Sequence, residues 1–218
     1  APGGGTVDWT NPWGEYKFID NIEIREDGGT PGFLQAMRTA LSIRVKNEMN
    51  TALIREREEE LVALAFKELC CIPGVHILAD NQKKRLGIIS FYIEGMHFNM
   101  VVKLLSDRYG IQMRGGCACA GTYGHFLLDV SHEKSKQITD LITHGDLSQK
   151  PGWIRLSLHP TMTNNDLLYI VDAIKQVSVH HPEWKKDYLY NKHTNEFIHI
   201  KEWHQKDELV ASWFEMSV

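Results

Sequence analysis

Six consecutive residues, Ile88-Ile89-Ser90-Phe91-Tyr92-Ile93, constrain the fold of this chain more than any other segment. Branched and aromatic side chains suit a pleated strand, and apolar character on both faces predicts a central strand covered on both sides. Helical patterns surround it. Phe33, Met37, Ala40 and Leu41 recur at helical spacing, with Thr30 as the expected N-cap and Pro31 in the first helical position. A second helix is predicted from Ala52 to Cys70, stopped by Pro73-Gly74. Strands are expected at 75–78, 87–93, 111–114 and 154–158, and a helix at 99–109. Thr163-Asn164-Asn165-Asp166 reads as a capping box for a helix whose inner face carries Leu167, Ile170, Val171, Ile174 and Val177. This alternation predicts an α/β layered fold.

The two ends differ in character. Residues 1–32 are rich in Gly, Pro and Trp, with a short apolar alternation from Phe18 to Ile24. From His180 the chain is rich in Trp, Tyr, His and Lys, with a hairpin predicted across Tyr188–Ile200. At 218 residues, 43% of them hydrophobic, the chain can bury one good core with a small appendage. The opening Ala1-Pro2-Gly3-Gly4-Gly5 reads as a loop from within something longer, so a fragment or processed piece is expected.

Charge and cysteine usage narrow the function. A net charge of −4 argues against a general nucleic-acid binder, and Lys83-Lys84-Arg85, the one compact basic run, reads as a solvated turn. No apolar stretch approaches the roughly 20 residues of a membrane span, and no signal-peptide order is present. Four cysteines in a chain this long do not make a disulfide framework. Reduced thiols in a cytoplasmic setting are expected.

Three constellations carry chemistry. In Arg114-Gly115-Gly116-Cys117-Ala118-Cys119-Ala120-Gly121, two thiols and a guanidinium fall within a few residues of each other, at the expected end of a strand. Glycine lets the backbone bend and approach a ligand, and a nearby cation favours the nucleophilic thiolate. Either Cys119 or Cys117 could be that nucleophile. The pair could instead hold a soft metal with His125, although no second cysteine pair at suitable spacing completes four ligands, and Cys70-Cys71 reads as core filler. His97 and His159 also lie near these loops, and neither is singled out. In the second constellation, Arg25 to Pro31, two glycines feed a Thr-capped helix; this is either an anion site for a phosphate or an ordinary cap. The third is Arg155 in Trp153-Ile154-Arg155-Leu156-Ser157. It either clamps a carboxylate or pairs with an acidic residue of its own domain.

The order of these motifs is similar to the C-terminal half of class V (NifS/cysteine desulfurase-like) pyridoxal-phosphate enzymes. An Arg/Glu run into Gly-Thr-Pro comes first, followed by Ile72-Pro73-Gly74-Val75 and by Ile88-Ile89-Ser90-Phe91 with Glu94-Gly95. Then come Arg-Gly-Gly-x-x-Cys and Ile-Arg-Leu-Ser-Leu. The resemblance spans roughly residues 1–178. It implies the small C-terminal domain of fold-type I enzymes, a short mixed sheet with covering helices, plus a remnant of the large domain. The expected division is 1–32 for the remnant, 33–178 for the small domain with its connecting helix, and 179–218 for an extension without counterpart.

The resemblance also implies site roles. Gly29 and Thr30 would contact the phosphate of pyridoxal 5'-phosphate in the opposite subunit of a homodimer. Arg155 would clamp the α-carboxylate of an amino-acid substrate. Cys119 would accept sulfur from cysteine as a persulfide, leaving alanine, with Arg114 beside it. An aminotransferase, lyase or epimerase without a catalytic cysteine, a non-catalytic interaction module, and half of a split enzyme are the alternatives. The family's Schiff-base lysine would lie upstream of Ala1, so this chain by itself, or before pairing with an N-terminal half, is expected to be inactive. Thirty-six positions separate Cys119 from Arg155, more than in compact members, so displacement of Cys119 is a further expectation.

Overall fold

A computed structural model describes residues 1–117, 119–201, 210 and 212–214. The remaining positions of the predicted 179–218 extension, and Ala118, lie outside the described residues. The chain forms two compact units, Ala1–Leu53 and Ile54–Val218.

In the first unit, β1 (Val7–Thr10) and β2 (Tyr16–Phe18) form an antiparallel hairpin. Helix α1 (Ile22–Glu26) follows, with the Asn21 side chain accepting the Ile24 N–H at 3.1 Å. The apolar alternation from Phe18 to Ile24 is therefore the end of a strand and a short helix. Helix α2 (Phe33–Glu48) starts later than its cap preferences predict: Gly32 is the N-cap, without a side-chain bond, and Thr30 and Pro31 precede it. None of the residues of α2 is buried.

Helix α3 (Thr51–Leu69) leads into the second unit. There follow β3 (Val75–Ile77), β4 (Ile88–Ile93), α4 (Phe98–Tyr109), β5 (Arg114–Gly116), α5 (Gly121–Leu127), α6 (His132–Thr143), β6 (Trp153–Ser157) and α7 (Asn164–Trp184). The sheet order is β3-β4-β6-β5, and every pairing is antiparallel. The α/β class is as expected, but the sheet is antiparallel throughout where a mixed one was predicted.

Strand β4 is an interior strand, yet its faces differ. Ile89, Phe91 and Ile93 are buried, while Ser90 and Tyr92 on the alternate face are half-buried. Period-two alternation places Ile154 and Leu156 of β6 on the same buried face. They join Leu61 and Leu69 of α3, Leu104 and Leu105 of α4, and Leu167 and Ile174 of α7 in one core. Each such side chain contributes about 1.5–3 kcal/mol by leaving water.

Local chemistry fixes the helix ends. The His97 Nδ1 accepts the Asn99 N–H at 3.1 Å to cap α4, and Gly110 closes that helix with the left-handed φ of 66° that glycine tolerates. The predicted capping box of α7 is complete: the Asp166 N–H donates to Thr163 Oγ1 at 3.1 Å, and the Thr163 N–H donates to the Asp166 carboxylate at 2.8 Å. Cys70 and Cys71 are both exposed, which corrects their reading as core filler. The helical register turns Leu69 inward and carries its neighbours out.

The C-terminal hairpin is formed by β7 (Tyr188–Asn191) and β8 (Glu196–His199), within the predicted span. It braces two elements. Tyr188 donates its hydroxyl to Asp107 of α4 at 2.9 Å, and the Asn99 amide reaches the Asn195 carbonyl at 2.5 Å. On its other side Lys192 pairs with Asp146 at 3.2 Å, and the Leu147 N–H donates to the Lys192 carbonyl at 2.9 Å.

Candidate active site

Strands β5 and β6 assemble the site. The register pairs Arg114 with Arg155, Gly115 with Ile154 and Gly116 with Trp153. On the other side of β6, Ser90 of β4 is the partner of Arg155. Ser90, Arg155 and Arg114 therefore form one row across the sheet, on the face opposite the core. Strand β5 lies later than the predicted 111–114, because pairing with β6, a long-range contact, fixes where it begins.

Gly115 explains how β5 can sit there. A methyl group on it would meet Asn99 Oδ1 at 2.8 Å and the Phe98 ring at 3.0 Å, so α4 packs against bare backbone. Gly152 is as tightly constrained, since a methyl there would lie 2.5 Å from the same ring. Phe98 thus locks the approach of β5 and the entry to β6 together.

The guanidinium of Arg155 has no ion pair among the described residues, and its Nε is buried without a hydrogen-bond partner. The expected alternative, pairing with an acidic residue of the same domain, is not found among the described residues. A buried donor left unmatched costs about 1–3 kcal/mol. Two like charges at directly opposed strand positions add a further penalty. A bound carboxylate would relieve both. A cleft of about 550 Å³ opens at this point, lined by Arg114, Arg155, Ser157, Met162 and Tyr169 among others. Its Asp166 is already engaged in the α7 cap.

The cysteine segment follows β5 directly. The Cys117 carbonyl accepts the Ala120 N–H at 2.9 Å, closing a tight turn, and Cys119 occupies it at a φ of 61°, in the left-handed region. Cys119 is exposed and its Sγ lies 3.9 Å from Arg114 Nη2. After the turn, α5 packs Gly124 against Trp153, where a methyl group would come within 3.0 Å of the indole. Trp153 shares the face of Arg155 by strand alternation, so the polypeptide that carries Cys119 folds over that same face.

The 36-position separation of Cys119 and Arg155 accommodates α5 and α6. Arg114 bridges it: its backbone opposes Arg155, and its side chain reaches Cys119. His125, considered as a metal ligand, has both ring nitrogens engaged, with the Gly121 carbonyl at 2.8 Å and the Ser135 hydroxyl at 2.9 Å. Among the described residues no three His, Cys, Asp or Glu side chains gather where they could hold an ion. His159 bonds Thr161 on the surface.

Thr30 belongs to the other compact unit. It is exposed, follows Gly29 (φ 96°), and its hydroxyl makes no hydrogen bond among the described residues. Gly28 and Gly29 lie close against Gly5 and Thr6, where a side chain on Gly5 would come within 2.6 Å of the Gly29 nitrogen. An exposed hydroxyl next to exposed glycine backbone fits a phosphate oxygen, while the correction to the start of α2 removes Thr30 from the N-cap itself.

Sequence reasoning passed over Ser90, whose one signal is a small hydroxyl inside an apolar run. It also passed over Arg57. This α3 side chain donates to the Met162 carbonyl at 2.8 Å and to Asn164 at 2.9 Å, fixing the loop that supplies one wall of the cleft. That pairing joins residues over a hundred positions apart and leaves no local trace.

Comparison with known proteins gives a consistent picture. The family model for aminotransferase class-V matches residues 1–170. A probable cysteine desulfurase of Staphylococcus aureus (strain Mu50 / ATCC 700699) is 27% identical over 118 residues, covering 54% of this chain and 28% of that protein. A probable cysteine desulfurase of Staphylococcus epidermidis (strain ATCC 12228 / FDA PCI 1200) is 26% identical over the same length and shares. Among solved structures, the apo cysteine desulfurase of Thermococcus onnurineus NA1 superposes with a TM-score of 0.56 at 24% identity, over 82% of this chain and 38% of that one. The cysteine desulfurase CsdA (S-sulfonic acid) of Escherichia coli gives 0.53 at 20%, over 83% and 38%. These two likenesses concern the fold. The chain spans little more than a quarter of the length of the curated relatives it matches.

Proposed function

The chain belongs to the aminotransferase class-V family, and on that premise we propose that it is the C-terminal portion of a pyridoxal-phosphate enzyme that takes sulfur from cysteine. The observation that carries this reading is the unmatched, buried Nε of Arg155 at a cleft that Arg114 also lines. An amino acid has one constant anionic group, its α-carboxylate, and a guanidinium fork binds it with charge-assisted hydrogen bonds. Arg155 is assigned that role, with Ser90 and Arg114 flanking it.

When bound, pyridoxal phosphate supplies an electron sink at the substrate α-carbon. Gly29 and Thr30 are the residues of this chain assigned to its phosphate, in the opposite subunit of a homodimer. Cys119, with Arg114 Nη2 at 3.9 Å from its Sγ, takes the substrate sulfur as a persulfide while alanine leaves. The tight turn holds Cys119 out toward solvent, where a sulfur acceptor can reach it. The cofactor lysine is assigned to the large domain of the whole enzyme, which works as a homodimer or through pairing of its two halves. No helix among the described residues is long and apolar enough to cross a membrane, and four free cysteines suit the proposed cytoplasmic setting.

The test is alanine and sulfide formation from cysteine by the full-length, cofactor-loaded protein and by its Cys119→Ser variant. Loss of both products in the variant, by roughly a hundredfold or more, supports the reading. Undiminished turnover would sink it in favour of a class V aminotransferase, lyase or epimerase without a catalytic thiol.

A further inference from the structure

We propose that Cys117 is the resolving thiol of this site: it displaces sulfur from Cys119 as free sulfide and leaves a Cys117–Cys119 disulfide. The inference rests on the desulfurase reading and deepens it. Its basis is the juxtaposition of two thiols in one closed turn. The Cys117 carbonyl holds the Ala120 N–H at 2.9 Å, and Cys119 lies between them with φ at 61°. One residue apart in the chain, their α-carbons are on the order of 5–7 Å from each other by covalent geometry alone, which overlaps the range of about 4.4–6.8 Å that a disulfide spans. Both cysteines are free. Their surroundings differ: Cys119 is exposed beside Arg114, whereas Cys117 is half-buried directly behind the Gly115-Gly116 pair of β5. That asymmetry suits an outer thiol that receives sulfur and an inner one that meets no acceptor of its own.

The chemistry closes without a further co-reactant. A Cys119 persulfide has a Sγ–Sδ bond. The Cys117 thiolate attacks Cys119 Sγ, forming the Cys117–Cys119 S–S bond and breaking Sγ–Sδ. The electron pair of the broken bond leaves with the outer sulfur as HS⁻, which takes up the proton released by the Cys117 thiol. The sulfane sulfur is reduced to sulfide, and the two cysteine sulfurs are oxidised to disulfide. A dithiol reductant then returns the pair to thiols by two successive exchanges.

The experiment separates this step from the desulfurase reading by loading sulfur chemically. The full-length protein is treated with inorganic polysulfide without added thiol, freed of excess reagent, and examined by mass spectrometry of the peptide that holds both cysteines. The expected result is a bridge, two hydrogens lighter than the dithiol, with release of sulfide. In Cys117→Ser the persulfide on Cys119 persists, and sulfide release is slowed at least about tenfold. A lasting Cys119 persulfide in the parent protein, or equal release from Cys117→Ser, overturns the proposal. Alanine formation from cysteine by the parent protein is scored separately. Its absence would remove the desulfurase reading while the bridge assay still decides the role of Cys117.

Discussion

Arg114 and Arg155 stand directly opposite one another across the β5–β6 pairing, two guanidinium groups on one face of an antiparallel sheet. Folding gains nothing from that arrangement, because like charges at opposed positions repel and the Nε of Arg155 finds no partner. Arg155→Met should therefore leave the melting temperature unchanged or raise it slightly, by up to about 1 kcal/mol in stability. The same substitution should weaken amino-acid substrate binding by roughly tenfold to a hundredfold, the worth of hydrogen bonds to a charged group. Thermal melts and steady-state kinetics on the full-length protein check both halves. A strongly destabilised variant would mean that the guanidinium serves the fold.

The left-handed backbone at Cys119 makes a second prediction. A residue with a β-carbon is strained at φ 61°, and glycine is not. Both Cys119→Ala and Cys119→Gly remove the thiol, so they differ in backbone preference alone. The glycine variant should be the more stable of the two, by up to about 1 kcal/mol, despite its looser unfolded chain. Urea melts of the pair decide it. An alanine variant that proves more stable would place this turn elsewhere in backbone space.

Phe98 provides a third. Added methyl groups at Gly115 or Gly152 would press into the same ring, at 3.0 and 2.5 Å. Gly115→Ala and Gly152→Ala should each cost about 1–3 kcal/mol, the usual range for overpacking. Combining Gly152→Ala with Phe98→Leu should recover part of the loss. If the double variant is no better than the sum of its parts, the ring is not the obstacle.

His97 gives a prediction in pH. Burial among Phe98, Tyr190 and Phe197 pushes its pKa below the ordinary 6.5, against a weaker upward pull from Asn195. The unfolded chain then binds a proton more readily than the folded one between the two values. Stability is complete above 6.5 and declines as the pH falls from there toward the lower, folded-state pKa. His97→Asn keeps an acceptor at the N-cap of α4 and removes the titrating ring, so its stability should fall less between pH 7 and about 5. Denaturant melts across that range test it, and parallel profiles for parent and variant would refute it.

What could be read from the sequence was mostly local. The Thr163–Asp166 capping box and the Tyr188–Ile200 hairpin lie within a few residues of their own partners, so composition and spacing sufficed. Thr30 was misjudged because cap preference says nothing of how far the chain stays extended, and Gly32 takes the cap without a side chain. The role of Arg155 is not legible locally, because it depends on which distant side chains arrive nearby. Cys70 and Cys71 suit the core by composition, yet the first and second positions past Leu69, where α3 ends, turn out to solvent. Ile88–Ile93 was expected to be covered twice. Its pattern could not reveal that the helices gather on the face of Ile89 and Phe91.

Helices α5 and α6 leave the sheet at Gly116 and return to it at Trp153, two residues that are themselves cross-strand partners. Such an excursion has a fixed doorway, with Gly124 and Ile138 packed inward and the turn between the helices at its far end. Its helices are tied to each other through His125 and Ser135, and its exit is held by the Lys192–Asp146 brace. The turn between the two helices can therefore lengthen without shifting the doorway. Engineers seeking to graft a recognition element close to the thiol have a natural insertion point at its far end, around Asp129 and Val130.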